Sequence, residues 1–129
     1  MSFEFQEFKN FVDMTKKLSK TYPKFLEDFL LKCAMDCLAR TKKRTPVDTG
    51  ELRRNWQLTN VIKRGNNFEI TIYNNKHYAS YVELGHTTRD RSGWVEGYYM
   101  ATVSIEELNN KIPARHDREF ANFCKGLGF

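Results

Sequence analysis

Apolar residues recur at helical spacing through the first third of the chain. A first amphipathic helix is predicted over about residues 4 to 19, where Phe8, Phe11 and Leu18 share one side. A second amphipathic helix is predicted from Thr21 to about Lys43, with polar residues on its opposite side. The residues of its apolar face are Phe25, Leu26, Phe29, Leu30, Cys33, Cys37 and Leu38.

Prolines set the expected helix boundaries. Pro23 is placed in the first turn of the second helix, where proline is tolerated. Thr45–Pro46 should end that helix, because the residue before a proline is pushed out of the helical region. A further helix is predicted from Met100 to about Ile112, where Pro113 is expected to interrupt it before a final short helix over about residues 120 to 127.

Between these helical regions the pattern changes to a period of two, with Val61 as an exception. The alternating apolar positions are Trp56, Leu58, Ile62, Phe68, Ile70 and Ile72. A turn is expected at Arg64-Gly-Asn-Asn67, so the segment predicts a β-hairpin with one buried face. Because an isolated hairpin is marginally stable, it should pack on the long helix or join other strands.

The run from Arg44 to Trp56 is a dense signal for the start of a helix. Asp48 is the predicted N-cap, and Glu51, three residues later, can complete a capping box. Val47 and Leu52 are spaced as a hydrophobic staple. The residues assigned to this structural motif are Val47, Asp48, Gly50, Glu51, Leu52 and Trp56. They do not form a catalytic set.

The length of 129 residues and an apolar share of 40% predict one soluble domain, 1–129. Within it we expect a helical part at 1–43, the capped turn and β-hairpin at 44–75, an aromatic and basic loop region at 76–97, and C-terminal helices at 98–129. No stretch predicts a membrane span or a signal peptide, so the protein should stay in the cytoplasm of the cell that makes it.

The net charge and its distribution are compatible with either nucleic-acid binding or self-association. The sequence has 21 Lys and Arg against 16 Asp and Glu, a formal net charge of +5. Basic residues cluster at Arg40–Arg44, Arg53–Arg54, Lys63–Arg64 and around Arg89–Arg91. The first two clusters could contact phosphates, which would make the protein a small basic nucleic-acid-binding module. Mixed charge equally suits a self-associating surface or a solvated face without a ligand.

The candidate chemistry is sparse. The odd count of three cysteines predicts small buried core residues at Cys33, Cys37 and Cys124 rather than disulfides or a zinc site. Other candidates are His77, His86, His116, Asp48, Glu83, Asp90 and Glu96. Glu83 and His86 could share a helix face, but a catalytic zinc needs three protein ligands. We expect no enzyme, no metal and no cofactor, with a nuclease built on scattered carboxylates as the remaining alternative.

Three blocks, in chain order, resemble the signature of a protein family. They are Thr45-Pro-Val-Asp-Thr-Gly-Glu-Leu-Arg-Arg-Asn-Trp56, then Tyr78-Ala-Ser-Tyr-Val-Glu-Leu-Gly85, with Leu84 where phenylalanine is common, and then Gly93-Trp-Val-Glu-Gly-Tyr-Tyr-Met100. The family is that of tail-completion (head–tail joining, minor capsid, neck) proteins of tailed bacteriophages and related prophage tail-like particles.

This resemblance implies an α+β fold, in which long N-terminal amphipathic helices pack on a small antiparallel β-sheet and C-terminal helices follow. It also implies a structural virion protein that forms a homo-oligomeric ring, of roughly six or more copies, at the head–tail junction or the top of the tail tube as a neck or collar. Implied partners are tail-tube, tail-terminator and connector or portal-side proteins. DNA would pass through the lumen without sequence-specific binding, and assembly would occur in the host cytoplasm.

Aromatic and basic residues after Glu83 are the main candidates for contact with a neighbouring subunit, since these types are enriched at interface hot spots. The contact hypothesis covers Arg53, Arg54, His86, Arg89, Arg91, Trp94, Tyr98 and Tyr99. Arg53 and Arg54 are included because the predicted helix cap gives neither side chain a structural role. The alternative is that some of the aromatic residues complete the core, as Trp56 is expected to do.

Overall fold

The computed structural model describes the backbone of residues 2–47, 49–65 and 67–128, and within those ranges the side chains from Lys16 onward. The helices are α1 (Ser2–Arg44), α2 (Glu51–Arg54), α3 (Ala79–Leu84) and α4 (Met100–Gly126). The strands are β1 (Trp56–Leu58), β2 (Ile62–Arg64), β3 (Asn67–Glu69), β4 (Ile72–Asn74), β5 (Gly85–Thr87) and β6 (Trp94–Glu96). The α+β class is therefore confirmed.

Two predicted helix breaks are wrong. Helix α1 runs without interruption through Pro23, and α4 runs through Pro113. A proline inside a helix costs about 3 kcal/mol, because it removes a backbone donor and crowds the preceding turn. Both prolines lie beside the region where α1 and α4 pack against each other, so tertiary packing there offsets the local cost.

An aromatic cluster joins α1 to α4 beside these prolines. It consists of Tyr22, Phe25 and Phe29 from α1 and His116, Phe120 and Phe123 from α4. The rings of Phe25 and Phe123 have centroids 4.9 Å apart, and the Tyr22 hydroxyl lies 2.8 Å from Nε2 of His116 in a hydrogen bond. Aromatic pairs at such distances add stability beyond the area they bury. Four of the ten phenylalanines of the chain lie in this cluster, which we call the aromatic seam.

Polar contacts continue the seam toward the C-terminal end of α1. The Arg40 guanidinium contacts the Glu107 carboxylate at 3.0 Å, and Arg44 binds the other oxygen of the same carboxylate. Arg44 also donates to the hydroxyl of the buried Ser104 at 2.7 Å. These contacts pair the end of α1 with the beginning of α4, so the two helices run antiparallel.

The predicted β-hairpin is present, but a bulge divides it into two ladders. Trp56 pairs with Asn74 and Leu58 with Ile72, whereas Ile62 pairs with Glu69. Three residues separate the ladders on the first strand and two on the second, so one strand carries an extra residue. The extra residue explains why Val61 interrupts the alternation of apolar and polar residues, because a bulge reverses the side of the sheet to which the following residues point.

The expected burial of Ile62 is therefore wrong. Ile62 is 46% exposed, because the bulge turns it to the outer side with Glu69. Lys63, opposite Phe68, takes the inner position, and both residues line a groove beside Leu26 of α1. The hairpin still packs on α1, as the sequence predicts.

The core lies where α1, the hairpin, α3 and α4 meet. Its buried members are Leu52, Trp56, Ala79 and Met100, with Leu38, Ile72, Tyr78, Val82 and Ala101 packed around them. The indole N–H of Trp56 donates to the Thr45 hydroxyl at 2.9 Å, which satisfies its polar group inside the core. Trp56 is thus a core residue, as predicted.

The three cysteines differ in how far they are buried. Cys33 and Cys37 are buried, whereas Cys124 is half-buried. Burial raises the pKa of the Cys33 and Cys37 thiols, which keeps them neutral. These two act as small core residues, as the sequence predicts.

Candidate contact surface

The signature run at residues 44–56 leads into the short helix α2. The structure places the N-cap at Gly50, with φ of 82°, rather than at the predicted Asp48, and Asp48 itself lies outside the described residues. The backbone N–H of Glu51 donates to the Thr49 hydroxyl at 3.3 Å, and the Glu51 carboxylate lies 3.5 Å from Nζ of Lys76. The loop is thus held by local contacts around a glycine that can adopt a positive φ.

The expected staple partner Val47 does not enter the core. Val47 is 57% exposed, while Leu52 is buried. Both residues line a recess of about 360 Å³, together with Tyr78 and Val82 from the next segment. We call this cavity the motif recess; its full lining is Pro46, Val47, Thr49, Gly50, Glu51, Leu52, Tyr78 and Val82.

Arg53 and Arg54 differ in their surroundings. The Arg53 guanidinium donates to the backbone carbonyl of Thr45 at 3.0 Å, and its Nε is buried without a hydrogen-bond partner. Because Thr45 follows the last turn of α1, this contact satisfies a carbonyl at the helix end. Arg54 is exposed and donates to the Thr49 carbonyl at 3.4 Å. Arg53 therefore has a structural role that the sequence did not reveal.

Glu83 caps the N-terminus of α4. Its carboxylate accepts the backbone N–H groups of Ala101 and Thr102, each at 2.9 Å, and the Thr102 hydroxyl at 2.7 Å. A carboxylate at a helix N-terminus is favoured because it binds unpaired N–H groups and the positive end of the helix dipole. Helix α3 ends at Leu84, so the predicted shared helix face of Glu83 and His86 is wrong.

Strands β5 and β6 form a second hairpin that sequence patterning missed. His86 pairs with Val95 and Thr87 with Trp94. Each strand has three residues, which is too short for a period of two to stand out. The turn-forming residues Asp90, Ser92 and Gly93 are the signal that could have revealed it.

Two glycines hold this hairpin against α3. A Cβ on Gly97 would lie 2.3 Å from the backbone oxygen of Glu83, and a Cβ on Gly85 would lie 2.5 Å from that of Val95. Gly85 also has φ of 91°, and the Trp94 ring lies over it. Such close approaches require glycine. The hairpin is thus fixed to the body of the domain through its base.

The tip of this hairpin is an ordered turn. The Asp90 carboxylate accepts the hydroxyls of Thr88 and Ser92, each at 2.7 Å, and the backbone N–H of Ser92 at 3.1 Å. These bonds, with that from the Ser92 hydroxyl the largest cause, lower the pKa of Asp90 from 3.8 to about 2. Asp90 is thus a structural residue of this turn, and the region 76–97, which the sequence predicts as a loop, contains α3 and the β5–β6 hairpin.

Exposed apolar and cationic residues surround this hairpin. We define the hairpin patch as Tyr81, Leu84, Arg89, Arg91, Trp94, Val95 and Tyr98. Its apolar members are between 44% and 61% exposed. Arg89 and Arg91 are exposed and form no ion pair with any described side chain. The concentration of exposed aromatic residues here fits a surface that a partner covers.

Of the remaining candidate residues, His86 and Tyr99 lie near this hairpin, whereas His77 and His116 lie elsewhere in the fold. The Tyr81 and His86 rings have centroids 6.2 Å apart, and both residues are exposed. The half-buried Tyr99 donates its hydroxyl to Glu96, which raises the pKa of Tyr99. His77 is exposed beside Tyr78, and His116 belongs to the aromatic seam. Within the described ranges, no three His, Cys, Asp or Glu side chains are grouped as metal ligands could be.

Comparison with known proteins gives one family. A family model described as "Bacteriophage HK97-gp10, putative tail-component" matches residues 9–85, which run from within α1 to the first residue of β5. The match includes the signature run, the motif recess and α3. No curated protein and no solved structure matches the chain. Among the described residues, none of the helices combines the length and apolar content that a bilayer span needs.

Proposed function

Because this chain belongs to the HK97-gp10-like family of bacteriophage tail components, we propose that it is a structural ring protein that completes the tail at the head–tail junction. In this role many copies assemble around the DNA path and contact tail-tube, tail-terminator and connector or portal-side proteins. The protein performs no catalysis there, and DNA passes without being read by sequence. The ring assembles in the host cytoplasm before it becomes part of the virion.

The hairpin patch is the observation that carries this proposal. Trp94 on β6, Tyr98 after β6 and Tyr81 on the adjoining α3 are more than half exposed, and the base of the hairpin beside them is fixed by Gly85 and Gly97. A rigid element with exposed aromatic residues suits repeated contact between subunits, because little conformational entropy is lost when it binds. Arg89 and Arg91 at the tip add charge that can select the orientation of a neighbour.

The structure gives less support to a nucleic-acid-binding module. Arg40 and Arg44 bind Glu107, and Arg53 donates to the Thr45 carbonyl. A cation that already binds a carboxylate or carbonyl of its own chain gains less from a phosphate than a free cation does, because it must exchange one partner for another. Arg54 stays in the proposed contact set as an exposed cation, together with His86 and Tyr99 near the hairpin.

Removal of three patch residues tests the proposal. Arg89→Ala, Arg91→Ala and Trp94→Ala together should leave the fold intact, because these side chains are exposed, and should abolish incorporation into tails. Incorporation is measured by quantitative mass spectrometry of purified particles, and the fold by circular dichroism. The matched control, Lys32→Ala, Lys43→Ala and Tyr73→Ala, removes the same charge and one exposed aromatic residue from other faces. Normal incorporation of the patch variant would refute the contact assignment.

Electron microscopy of particles made without this protein tests its place in the virion. Unjoined heads and tails are expected if the protein completes the junction. Tails of uncontrolled length would instead indicate a role in ending tube growth, and joined infectious particles would contradict both roles. The copy number per wild-type particle decides whether a ring exists, since a single copy rules it out.

A further inference from the structure

We propose that the first residues of α1 from one copy dock in a groove between α1 and α4 of the next copy. We call residues 2–14 the N-terminal arm, and the cavity beside the aromatic seam the seam groove. The inference rests on the proposed ring, because a ring whose subunits follow one another head to tail needs two different, complementary surfaces on each copy. The N-terminal arm is one of these surfaces, and the seam groove is the other.

The seam groove combines aromatic and cationic side chains. Its volume is about 780 Å³. Phe25, Phe29 and Phe123 give it an apolar lining, to which α1 adds three lysines. These lysines are Lys20, Lys24 and Lys32. Because the lining residues of α1 run from position 20 to position 32, the groove is about 18 Å long at the helical rise per residue.

Both acidic residues of the lining already bind cations of the same chain. The Asp28 carboxylate lies 3.2 Å from Nζ of Lys24, one turn earlier on α1. The Glu119 carboxylate lies 3.5 Å from Nε of Arg115 on α4. The remaining cations of the groove are therefore not neutralised by its own acidic residues.

Four exposed cations lie in or beside the groove without an acidic partner. Lys20 and Lys32 belong to its lining. Arg118 and Lys125 lie on the side of α4 that carries Asn122 of the lining, four residues before it and three after it. None of the four forms an ion pair with any described side chain. A segment that fits this groove should thus carry both apolar and acidic residues.

The N-terminal arm has this composition. Its apolar residues are Phe3, Phe5, Phe8, Phe11, Val12 and Met14, and its charged residues are Glu4, Glu7, Lys9 and Asp13, a formal charge of −2. Phe8, Phe11 and Val12 recur at the spacing by which an amphipathic helix anchors in an apolar groove. As a helix the arm is about 20 Å long, which matches the length of the groove.

A copy cannot place its arm in its own groove. Helix α1 is continuous from Ser2 to Arg44, so the arm cannot turn back beside residues 20–32 of the same helix. Phe123 packs beside Phe25, and α4 ends three residues later, at Gly126. Because the two helices run antiparallel, the arm extends past the end of α4. It can therefore occupy only the groove of another copy.

Photo-crosslinking in assembled particles tests the contact directly. Phe8→p-benzoylphenylalanine keeps an aromatic group in the middle of the arm and, on irradiation, forms a covalent bond to whatever lies beside it. The expected product is an adduct between copies of this chain, with the bond mapped by mass spectrometry to residues 20–32 or 118–125. Tyr73→p-benzoylphenylalanine, on an exposed aromatic residue of β4, is the control and should not give this adduct.

Charge reversal tests whether the arm and the groove recognise each other. Glu4→Lys together with Glu7→Lys, in the Phe8→p-benzoylphenylalanine background, should lower the adduct yield about tenfold or more, because the arm then repels the lysines of the groove. Adding Lys20→Glu and Lys125→Glu to the same chain should restore most of the yield, since opposite charges again face each other.

The matched control for this rescue is Lys43→Glu with Lys111→Glu. Both lysines are exposed residues of α1 and α4 outside the groove lining, so their reversal makes the same change in net charge without restoring the yield. Circular dichroism checks that each variant keeps its helical content. An unchanged yield after reversal of the arm, or equal recovery with the groove and control reversals, would refute the pairing.

The outcomes separate this inference from the proposed ring. Adducts that map to the seam groove and extend beyond dimers support both. Groove adducts that stop at dimers support the docking and refute the ring, since two copies that exchange arms would satisfy both surfaces. Self-adducts that map elsewhere, adducts with a different tail protein, or no adduct overturn the inference, and the copy number per particle then decides the ring independently.

Discussion

Glu83 shows how one side chain can have a role that its sequence neighbours do not suggest. By spacing it is a candidate acid or metal ligand with His86, yet its carboxylate accepts three hydrogen bonds from the first turn of α4. The cap connects α3 to a helix that begins 17 residues later, at Met100. Sequence signals for caps are local, so a cap supplied from another element escapes them.

Loss of this cap should destabilise the protein. Glu83→Ala is expected to lower the free energy of unfolding by about 1–2 kcal/mol, because it leaves two N–H groups at the start of α4 without a protein acceptor. Glu83→Gln should lose less, since its amide oxygen can still accept. Urea unfolding followed by circular dichroism measures the difference. Glu106→Ala, on an exposed residue of the same helix, is the control, and an equal loss there would contradict the capping role.

Gly85 and Gly97 are also residues whose role depends on a distant part of the chain, because each lies against the backbone of another segment. Gly97→Ala should disrupt the β5–β6 hairpin, because the added Cβ would meet the Glu83 carbonyl oxygen at 2.3 Å. Gly126→Ala adds a methyl group that meets nothing within 4 Å apart from its own helix backbone, and it should not destabilise the protein, since alanine is favoured over glycine in a helix. Hydrogen exchange of the hairpin amides distinguishes a local opening from global unfolding. Retained protection in Gly97→Ala would contradict the close packing.

At the scale of elements, the polar end of the α1–α4 seam should make stability depend on pH. Hydrogen bonds from Arg44, with a smaller effect of Arg40, hold the pKa of Glu107 below its usual value of 4.5. A carboxylate with a lowered pKa stabilises the fold above its unfolded-state pKa, and this contribution is lost as the pH falls below about 4.5. The wild type should therefore lose stability toward acid through this pair.

Glu107→Gln isolates that contribution. Its thermal midpoint should be lower than that of the wild type at pH 7, and the two should converge as the pH falls below 4.5. The comparison Glu69→Gln changes an exposed ion pair with Arg64 in the β2–β3 hairpin and should have little effect. A constant difference between Glu107→Gln and the wild type across this pH range would contradict the linkage.

Periodicity predicted the elements better than it predicted their boundaries. The helices, the first hairpin and the burial of Trp56 follow from spacing, because those residues pack as their local pattern requires. Pro23 and Pro113 locally favour helix boundaries, but the aromatic seam between α1 and α4 outweighs this local preference. The alternation alone places Ile62 on the wrong face, because the position of a bulge depends on the pairing of both strands.

At the scale of the whole molecule, the family that the three sequence blocks resemble is the one shown by the match over residues 9–85. The candidate surface was predicted only in part. Trp94 and Arg89 could be picked out by residue type, but the hairpin that presents them could not. The motif recess combines residues 46, 47 and 49–52 with Tyr78 and Val82, so no single stretch of sequence reveals it.

Because several arginines already contact other residues of the chain, we expect weak DNA binding. If all six cations of residues 40–44 and 53–54 contacted phosphates, the logarithm of duplex affinity would fall with the logarithm of salt concentration with a slope of about −5. With Arg40, Arg44 and Arg53 engaged in the fold, we expect a slope no steeper than about −3. Fluorescence anisotropy across a salt series measures it. A slope near the steeper value would favour the nucleic-acid-binding module.

The aromatic seam also constrains the order of events during synthesis. Tyr22 and His116 are 94 residues apart in sequence, so α1 cannot obtain its partner until most of α4 has left the ribosome. Until then the apolar face of α1 around Phe25 and Phe29 has no α4 to cover it. A translating chain therefore cannot complete this seam before α4 has been synthesised.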